Sequence, residues 1–448
     1  MADIRNELGA IEEGLSVRHN FAWTLAGNST FALCQWGIIV LLAKLGSADM
    51  VGQFALAVAV AFPITFIANL QLRVIFVTDL QGKYPTSQML GLRLILSAIA
   101  VIGVLLACGI AHYGAAMTRI VVAVAAAQLI DCLSENYYAV AQRRERMDRI
   151  ARSQMIRSIV SLVALTITVF YTHNVFWGVV AYAAARCLVL LTFDAGQGTF
   201  SQRDSSTPNL TYSERIRPRW NLSNQLGMAW TALPLGAVSV LGSLNGNMSR
   251  YFIQHSLGAH ELGIFSALNY IPAGTLMVAT ALGYAVFARL SKLYFTGDLA
   301  GYKSVLMKAT AVCAGLGVAG LFGSAVLGKQ VLSILYRPEY AERIDLLMWL
   351  MAVGAVGCVA SCLGCAMSAA SQFRVQVPLF LIVTASSFIA CYFLVPTRGL
   401  YGAALAALIS MCVQLVGTAL VIHRALIKRA QELSGDLGAT VESAFESP

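Results

Sequence analysis

The sequence predicts an all-α polytopic membrane protein with twelve transmembrane helices in two six-helix repeats of the same orientation. Three observations predict this fold class. The 448 residues are 58% hydrophobic and only 12% charged, whereas an ordinary soluble domain carries about 25% charged residues. Apolar runs recur along the whole chain at about the 20-residue length that a bilayer requires. Short patterns in the first half of the chain also reappear, in the same order, in the second half.

The twelve apolar runs each have the length of one bilayer-spanning helix. They cover residues 21–43, 51–74, 89–111, 117–140, 155–172, 174–194, 222–248, 262–287, 305–327, 345–367, 375–395 and 399–422. The fourth and sixth runs contain charged residues, and the fifth is the shortest. The first run is too long for the core of a signal peptide, so we expect no cleavable leader.

The distribution of lysine and arginine predicts the orientation of these spans. If both termini are cytoplasmic, 23 of the 31 basic residues lie on the cytoplasmic side and 7 on the outer side. Arg186 lies within the sixth span and is counted on neither side. The net charge of +9 therefore reflects topology and contact with anionic membrane lipids, and no nucleic-acid partner is expected.

The polar segments divide the chain into five parts. These are an amphipathic cytoplasmic N-terminus (1–20), an N-terminal six-helix bundle (21–194), a flexible cytoplasmic linker (195–221), a C-terminal six-helix bundle (222–423) and a polar cytoplasmic tail (424–448). The linker is the longest polar stretch within the chain and separates two equal sets of spans.

Three pairs of short patterns relate the two bundles. The pairs are "LGSADMVGQF" (45–54) with "LGAHELGIF" (257–265), "CLSENYYAVAQRR" (132–144) with "CLGCAMSAASQFR" (362–374), and "WGVVAYAA" (177–184) with "YGAALAAL" (401–408). Six spans in each half is an even number, so the repeats share one orientation. We expect an axis along the membrane normal to relate them, as in transporters that rock around a central cavity.

Four motifs carry a resemblance to a known family. They are the Leu-Gly-acidic-Gly-x-Phe stretch before the second and eighth spans, "NLQLR" (69–73), "LYRPEYAER" (335–343) and "YGAALAA" in the last span. In order and spacing they resemble the multidrug/oligosaccharidyl-lipid/polysaccharide (MOP) superfamily, and most closely its polysaccharide-transporter branch, the Wzx-type flippases. Arg337 departs from the pattern, because a glycine is expected there.

The resemblance implies a MATE-like, V-shaped bundle in the bacterial inner membrane. It implies a flippase or exporter that moves a lipid-linked (polyprenyl-diphosphate) oligosaccharide for surface polysaccharide biosynthesis, such as lipopolysaccharide or exopolysaccharide, by alternating access. An H⁺ or Na⁺ gradient is the expected driving force. The polymerase and glycosyltransferases of the same pathway are the expected protein partners.

No pattern in the sequence indicates catalysis. The six histidines are scattered near span ends without metal-ligand spacing, and no Walker A motif is present. "CLGC" (362–365) has no second cysteine pair and favours helix packing. We therefore expect no enzyme, no metal and no cofactor.

Arg186 is the first candidate for substrate binding. It follows the predicted outer end of its span by about 18 Å at ~1.5 Å per residue, which places it near the midplane. A guanidinium there could bind a diphosphate with two parallel hydrogen bonds. The alternative is a structural ion pair with a neighbouring helix, and Asp131 is the natural partner.

Two carboxylates in the fourth span are candidates for coupling to an ion gradient. Asp131 and Glu135 are spaced i,i+4 and therefore share one helix face. Ionisable groups at membrane depth are costly and often functional. The alternatives are an ion pair of Asp131 with Arg186 and an interfacial position for Glu135.

The "NLQLR" motif closes the second span with polar groups. Asn69 and Arg73 are spaced i,i+4, and we expect them to share a face at the cytoplasmic boundary. They could receive the diphosphate of a lipid-linked substrate, or Arg73 could only reach the headgroups and mark a helix end. Pro63 could bend this helix.

The second half offers a comparable set of polar residues. Asn245, Asn247 and Arg250 end the seventh span on the predicted outer side, and Asn269 precedes Pro272 in the eighth. We include Arg250 and Asn269 among the substrate-binding candidates, although amides also serve helix packing. Pro63 and Pro272 occupy related places, which suggests matched hinges.

Three other functions compete with the leading hypothesis. A cation-coupled (MATE-type) exporter of small molecules would share the fold, but its cavity should be acidic and aromatic. A membrane polymerase or ligase would need a long outer loop with catalytic residues, and no predicted outer loop is long. A peptidoglycan-precursor flippase is expected to carry two further C-terminal helices.

Overall fold

The computed structural model describes residues 16–79, 85–195, 218 and 220–445, and the regular structure in these ranges is helical. In chain order the helices are α1 (Val17–Leu45), α2 (Ala48–Asn69), α3 (Leu72–Thr78), α4 (Thr86–Ile110), α5 (Ala115–Arg143), α6 (Met147–Thr172), α7 (Val175–Val189), α8 (Leu222–Phe295), α9 (Leu299–Leu335), α10 (Pro338–Ala341), α11 (Ile344–Ala369) and α12 (Phe373–Phe445). One π-helical turn, Leu190–Asp194, extends α7.

Two of these helices, α8 and α12, each consist of two helical segments separated by a glycine. α8 is interrupted at Gly258, which has φ 88° and ψ −178°. α12 is interrupted at Gly399, which has φ 59° and ψ −136°. Ten helices of the described ranges are long and apolar enough to cross a membrane, and α8 and α12 are two of them. The two breaks therefore yield twelve spanning segments, as predicted.

Local sequence signals fix several helix starts. The Asn174 side chain accepts a 2.9 Å hydrogen bond from the Phe176 N–H and caps α7. Asp298 accepts a 2.8 Å hydrogen bond from the Gly301 N–H and caps α9. Pro338 opens α10, where its missing N–H leaves no helical bond unmade. Such caps satisfy backbone donors that have no partner within the helix.

The fifth span begins earlier than the sequence predicts. α6 starts at Met147 instead of residue 155. The polar residues that set the predicted start are paired in the structure. Asp148 accepts a 2.9 Å hydrogen bond from Arg146 Nε, and Arg152 Nη2 lies 3.8 Å from the same carboxylate. Pairing lowers the cost of placing these charges in a helix, so the helix continues through them.

The "NLQLR" motif is a helix break and not the end of one continuous span. α2 ends at Asn69, and Leu70 and Gln71 have positive φ values of 42° and 53° before α3 begins at Leu72. The expectation that Asn69 and Arg73 share one helix face is therefore wrong. The i,i+4 relation holds only within a continuous helix.

Contacts on both break residues hold this conformation. Gln71 Nε2 donates a 3.2 Å hydrogen bond to Ser239 Oγ. Leu70 packs so closely on Gly236 that a side chain on this glycine would meet the leucine methyl group. α2 continues through Pro63, seven residues earlier, as a helix. The predicted hinge at Pro63 stays a prediction.

The chain forms two compact units. The first comprises Met1–Gly46 and Ala57–Val240, and the second comprises Ser47–Leu56 and Leu241–Pro448. In the first, α1 packs on α6, α6 on α7 and α4 on α5. In the second, α11 packs on α9 and α12.

These units differ from the predicted bundles at two places. The start of α2 belongs to the second unit, and the start of α8 belongs to the first. Residues 1–15, 80–84, 446–448 and all of 196–219 except Pro218 lie outside the described residues. The predicted linker and most of the predicted N-terminus therefore stay predictions.

Candidate functional site

Buried arginines mark the candidate site, which lies in the first unit. Arg93, Arg157 and Arg186 have exposed fractions of only 0%, 5% and 3%. A guanidinium at membrane depth is expensive unless other groups pair with it. The partners of these side chains therefore define the chemistry of the site.

Asp131 on α5 lies between two of these arginines. Arg186 Nη1 on α7 donates to Asp131 Oδ2, and Arg157 Nη1 on α6 lies 3.2 Å from Asp131 Oδ1. Arg186 also donates to the Tyr182 hydroxyl one turn earlier on its own helix. The predicted ion pair between Arg186 and Asp131 is thus present, while substrate binding by Arg186 stays a prediction.

Glu135, one turn beyond Asp131, forms an ion pair with a different arginine. Arg73 Nη1 on α3 lies 3.1 Å from Glu135 Oε2, and Arg73 Nε donates a 2.6 Å hydrogen bond to Gln142 Oε1. The side chains of Arg73 and Glu135 are only 20% and 23% exposed. Arg73 therefore contacts α5 instead of only reaching outward to the headgroups.

Tyr138 joins the two ion-paired groups. The Arg73 guanidinium carbon lies 5.8 Å from the centre of the Tyr138 ring, and that of Arg157 lies 5.4 Å from it. The ring face attracts both cations. The Tyr138 hydroxyl lies 2.6 Å from Ser153 Oγ, which in turn donates to Asp194. We call the connected set Arg186, Asp131, Arg157, Tyr138, Arg73 and Glu135 the arginine network.

Sequence reasoning missed three members of this neighbourhood. Arg157 counted only toward the orientation of the spans, because the predicted fifth span began just before it. Arg93 counted in the same way, yet it is fully buried and donates Nη1 to the Cys132 carbonyl. Tyr138 was not among the candidates, because a tyrosine in an apolar run has no distinctive sequence signal. No sequence signal identifies Arg157, because its position beside Asp131 depends on how α5 and α6 pack.

A cavity opens beside Arg73 in the first unit. It holds about 200 Å³ and is lined by Thr24, Asn28, Arg73, Met147, Ile150, Ala151 and Gln154. One wall is thus apolar, whereas a guanidinium, two amides and a hydroxyl supply hydrogen-bonding groups. The volume is below the roughly 300–1,000 Å³ of complete small-molecule sites. A cavity of this size accommodates only a small chemical group.

The candidates of the second half lie on α8, on either side of the break at Gly258. Arg250 Nη1 donates a 2.7 Å hydrogen bond to Asn247 Oδ1, and Asn245 accepts a 2.9 Å hydrogen bond from Ser410. Asn269 is half-buried, and Pro272 is buried against Gly354 of α11. α8 is helical at Pro272 and is interrupted at Gly258 instead. Their predicted roles in binding and bending stay predictions.

The described residues contain no group of three or more histidine, cysteine, aspartate or glutamate side chains that could hold a metal ion. Cys362 of the "CLGC" pair packs in an apolar cluster with Ala279, Ala309, Cys313 and Cys358. This position fits the predicted helix-packing role.

Two solved transporters share the fold of this chain. A MATE family multidrug resistance transporter of the MOP superfamily, solved in an inward-facing conformation, matches with a TM-score of 0.70 at 13% identity, over 90% of this chain and 99% of that one. The lipid II flippase MurJ, in an inward closed conformation, matches with a TM-score of 0.69 at 11% identity, over 96% of this chain and 93% of that one. The chain thus has the all-helical fold of MOP superfamily transporters.

The sequence comparisons show which named proteins this chain resembles. No family model matches the chain. The capsular polysaccharide biosynthesis protein CapF of Staphylococcus aureus is 24% identical over 398 residues, which are 89% of this chain and 97% of CapF. The probable flippase AglR of Haloferax volcanii is 30% identical over 190 residues, 41% of this chain and 37% of AglR. These relatives confirm the predicted resemblance to the polysaccharide-transporter branch.

Proposed function

We propose that this multi-pass membrane protein is a flippase that moves a polyprenyl-diphosphate-linked oligosaccharide across the bacterial inner membrane. Both termini and the 195–221 linker face the cytoplasm, and the exported unit serves surface polysaccharide biosynthesis. Alternating access driven by an H⁺ or Na⁺ gradient moves the substrate. The names of CapF and AglR, a capsule biosynthesis protein and a probable flippase, support this assignment.

The arginine network is the observation that carries the proposal. Its three arginines, Arg73, Arg157 and Arg186, outnumber its two carboxylates, so the site has an excess of positive charge. Guanidinium groups bind phosphate oxygens in a planar, two-pronged geometry. A diphosphate is therefore a suitable ligand for this site.

The same network argues against the cation exporter. A site for organic cations needs carboxylates that are free to bind positive charge. Asp131 is held by two arginines and Glu135 by one. An incoming cation would have to displace these guanidiniums.

The cavity beside Arg73 is the proposed entry subsite. Arg73 would contact a phosphate, while Asn28, Gln154 and Thr24 offer hydrogen bonds to the hydroxyls of the first sugar. Amide side chains both donate and accept, which matches the mixed hydrogen-bonding character of sugars. The apolar wall that Ile150 helps to form suits the faces of a sugar ring.

Asp131 and Glu135 are the proposed coupling residues. Protonation of either carboxylate would weaken its ion pair and free an arginine for the diphosphate. Conversely, a phosphate that binds Arg73 would release Glu135. Proton or cation binding and substrate binding would thereby compete for the same pairs, which links the two processes.

Binding to the purified protein tests the proposed function. The probe is a short-chain prenyl diphosphate carrying one sugar, with ethidium as the competing cationic probe. We expect saturable binding of the diphosphate, loss of that binding in Arg73→Ala, and retained binding in Arg119→Ala. Arg119 is a matched control because it also lies over an aromatic ring, 5.7 Å from Phe176, but outside the network. Binding of ethidium without the diphosphate would favour the cation exporter.

A further inference from the structure

Arg93 of α4 is a fully buried cation that the arginine network does not include. Its exposed fraction is 0%, and its Nη1 donates to the Cys132 carbonyl of α5. Its Nε and Nη2 have no hydrogen-bond partner among the described residues. None of the ion pairs in the described part of the chain includes Arg93. A buried charge without a counter-charge is costly, so a rearrangement that brings an anion to Arg93 would stabilise it.

Glu135 is the carboxylate that faces Arg93. Besides the Cys132 thiol, the ionisable side chains of the described residues that act on Arg93 are Glu135, which attracts it, and Arg73, which repels it. Glu135 pairs with Arg73 instead, with 3.1 Å between Oε2 and Nη1. Glu135 thus lies near two arginines and is bound to only one of them.

Unpaired polar groups lie one helical turn from the contact of Arg93 with Cys132. Asn136 is 4% exposed, and neither Nδ2 nor Oδ1 of its amide has a partner within the described ranges. Ser97 Oγ, one turn after Arg93 on α4, also lacks one there. Cys132 and Asn136 are spaced i,i+4, so Asn136 lies on the face of α5 that receives Arg93. Buried polar groups are normally hydrogen-bonded. This conformation therefore leaves donors and acceptors between α4 and α5 unused.

We propose that Arg93 is the second partner of Glu135 and takes over this carboxylate when a phosphate of the substrate binds Arg73. We call this change of partner the Glu135 exchange. Before binding, Arg73 is paired and Arg93 is not. After binding, Arg73 pairs with the phosphate and Arg93 with Glu135, so that neither guanidinium lacks a counter-charge. Arg93 thereby favours the release of Arg73 to the substrate without touching the substrate. This inference rests on the proposed function, which brings the phosphate to Arg73.

A purely structural role for Arg93 predicts a different behaviour. If Arg93 only fastens α4 to α5 through the Cys132 carbonyl, its removal should have the same effect whichever residue occupies position 73. In the Glu135 exchange, the effect depends on whether Arg73 holds Glu135. The two roles therefore differ even in the absence of substrate.

Thermal unfolding of the purified full-length protein without substrate tests the exchange. Arg93→Met replaces the guanidinium with an apolar side chain. In the wild-type background we expect an unchanged or raised unfolding temperature, because an unpaired buried charge is removed. In the Arg73→Ala background Glu135 is free to pair with Arg93, so Arg93→Met should lower the unfolding temperature by a few degrees. Arg73→Gln serves as the background if Arg73→Ala does not accumulate.

Two further backgrounds are the controls. Arg119 lies outside the arginine network, so Arg119→Ala should leave the effect of Arg93→Met as it is in the wild type. Adding Glu135→Gln to Arg73→Ala should also restore the wild-type effect, because an amide carries no charge for Arg93 to pair with. An equal effect of Arg93→Met in the wild-type and Arg73→Ala backgrounds overturns the exchange.

Binding of the sugar-bearing prenyl diphosphate separates this result from the proposed function. We expect Arg93→Met to lower the affinity on the order of tenfold, and to lower it clearly less when combined with Glu135→Gln. The same loss with and without Glu135→Gln would contradict the exchange and leave the proposed function standing. A wild type that does not bind the diphosphate overturns the proposed function and the trigger assigned to the exchange, whereas the thermal result alone decides whether Glu135 changes partner.

Discussion

Arg157 and Asp131 lie 3.2 Å apart, Nη1 to Oδ1, so that Asp131 is shared between α6 and α7 and not held by Arg186 alone. The second ion pair increases the loss of stability expected when Asp131 is removed. The loss of one buried partner leaves the other charge uncompensated, and Asp131 has two such partners. Asp131 is therefore the residue on which the stability of this part of the first unit depends.

Asp131→Asn should destabilise the protein more than Arg186→Ala or Arg157→Ala. We expect a loss on the order of 3–5 kcal/mol, because two buried guanidiniums lose their counter-charge. Membrane abundance and thermal unfolding of the purified protein measure it. The double change Arg186→Ala with Asp131→Ala should recover abundance only in part, because Arg157 remains unpaired. Full recovery of abundance and activity would show that Arg157 contributes nothing and that Arg186 is no substrate ligand.

Arg73→Ala should leave abundance near that of the wild type and reduce export. The Glu135 side chain keeps 23% of its surface exposed, so water can solvate its charge when Arg73 is removed. Arg73→Lys should keep part of the activity, because it retains the charge without the planar fork. Complementation of a deletion strain measures export, with Arg119→Ala as the control. Normal export by Arg73→Ala would show that "NLQLR" only forms the helix break and that Arg73 takes no part in transport.

Tyr138→Leu should weaken the link between Arg73 and Arg157, whereas Tyr138→Phe should preserve it. The ring supplies two cation–π contacts, each worth roughly 0.5–2 kcal/mol. Phenylalanine keeps the ring and loses only the hydroxyl contact with Ser153. Thermal unfolding of both variants, in wild-type and Arg73→Ala backgrounds, gives the coupling energy. Equal loss in the two variants would assign the effect to the hydroxyl.

Gln71→Val should destabilise the helix break, and Gln71→Gly should be tolerated. A left-handed conformation costs about 1–2 kcal/mol for ordinary residues, is worse for β-branched ones, and is free of strain for glycine. The glycine variant would lose the hydrogen bond to Ser239 but gain relief of this strain, so its stability should stay close to that of the wild type. Thermal unfolding compares the variants. A valine variant as stable as the wild type would contradict a left-handed Gln71.

Cysteines introduced at Ser205 and in the tail should react only after the membrane is made permeable. The predicted linker and tail carry many of the basic residues that favour the cytoplasmic side. Labelling of intact cells with a membrane-impermeant maleimide measures their accessibility. Labelling of Ser205→Cys in intact cells would be incompatible with two parallel six-helix repeats.

The sequence by itself determined the class of fold. Hydrophobic run length and charge content set the number of spans, because a bilayer admits few other arrangements of an apolar chain. The twelve predicted segments lie on described helices, apart from the break at Leu70 and Gln71, and four motifs predicted the family resemblance that the relatives support. The sequence also suggested the pair of Arg186 and Asp131, because a charge at membrane depth is costly unless an opposite charge pairs with it.

Tertiary structure alone decided how these groups combine. The left-handed break at Leu70 and Gln71 contains no glycine or proline, and contacts with Ser239 and Gly236 from a distant helix stabilise it. Arg157 belongs to the site because the packing of α6 on α5 and α7 brings its guanidinium to Asp131. The contact of Gly52 with Ala259 depends on which helix ends meet, and periodicity within one helix carries no information about a partner more than 200 residues away in the chain.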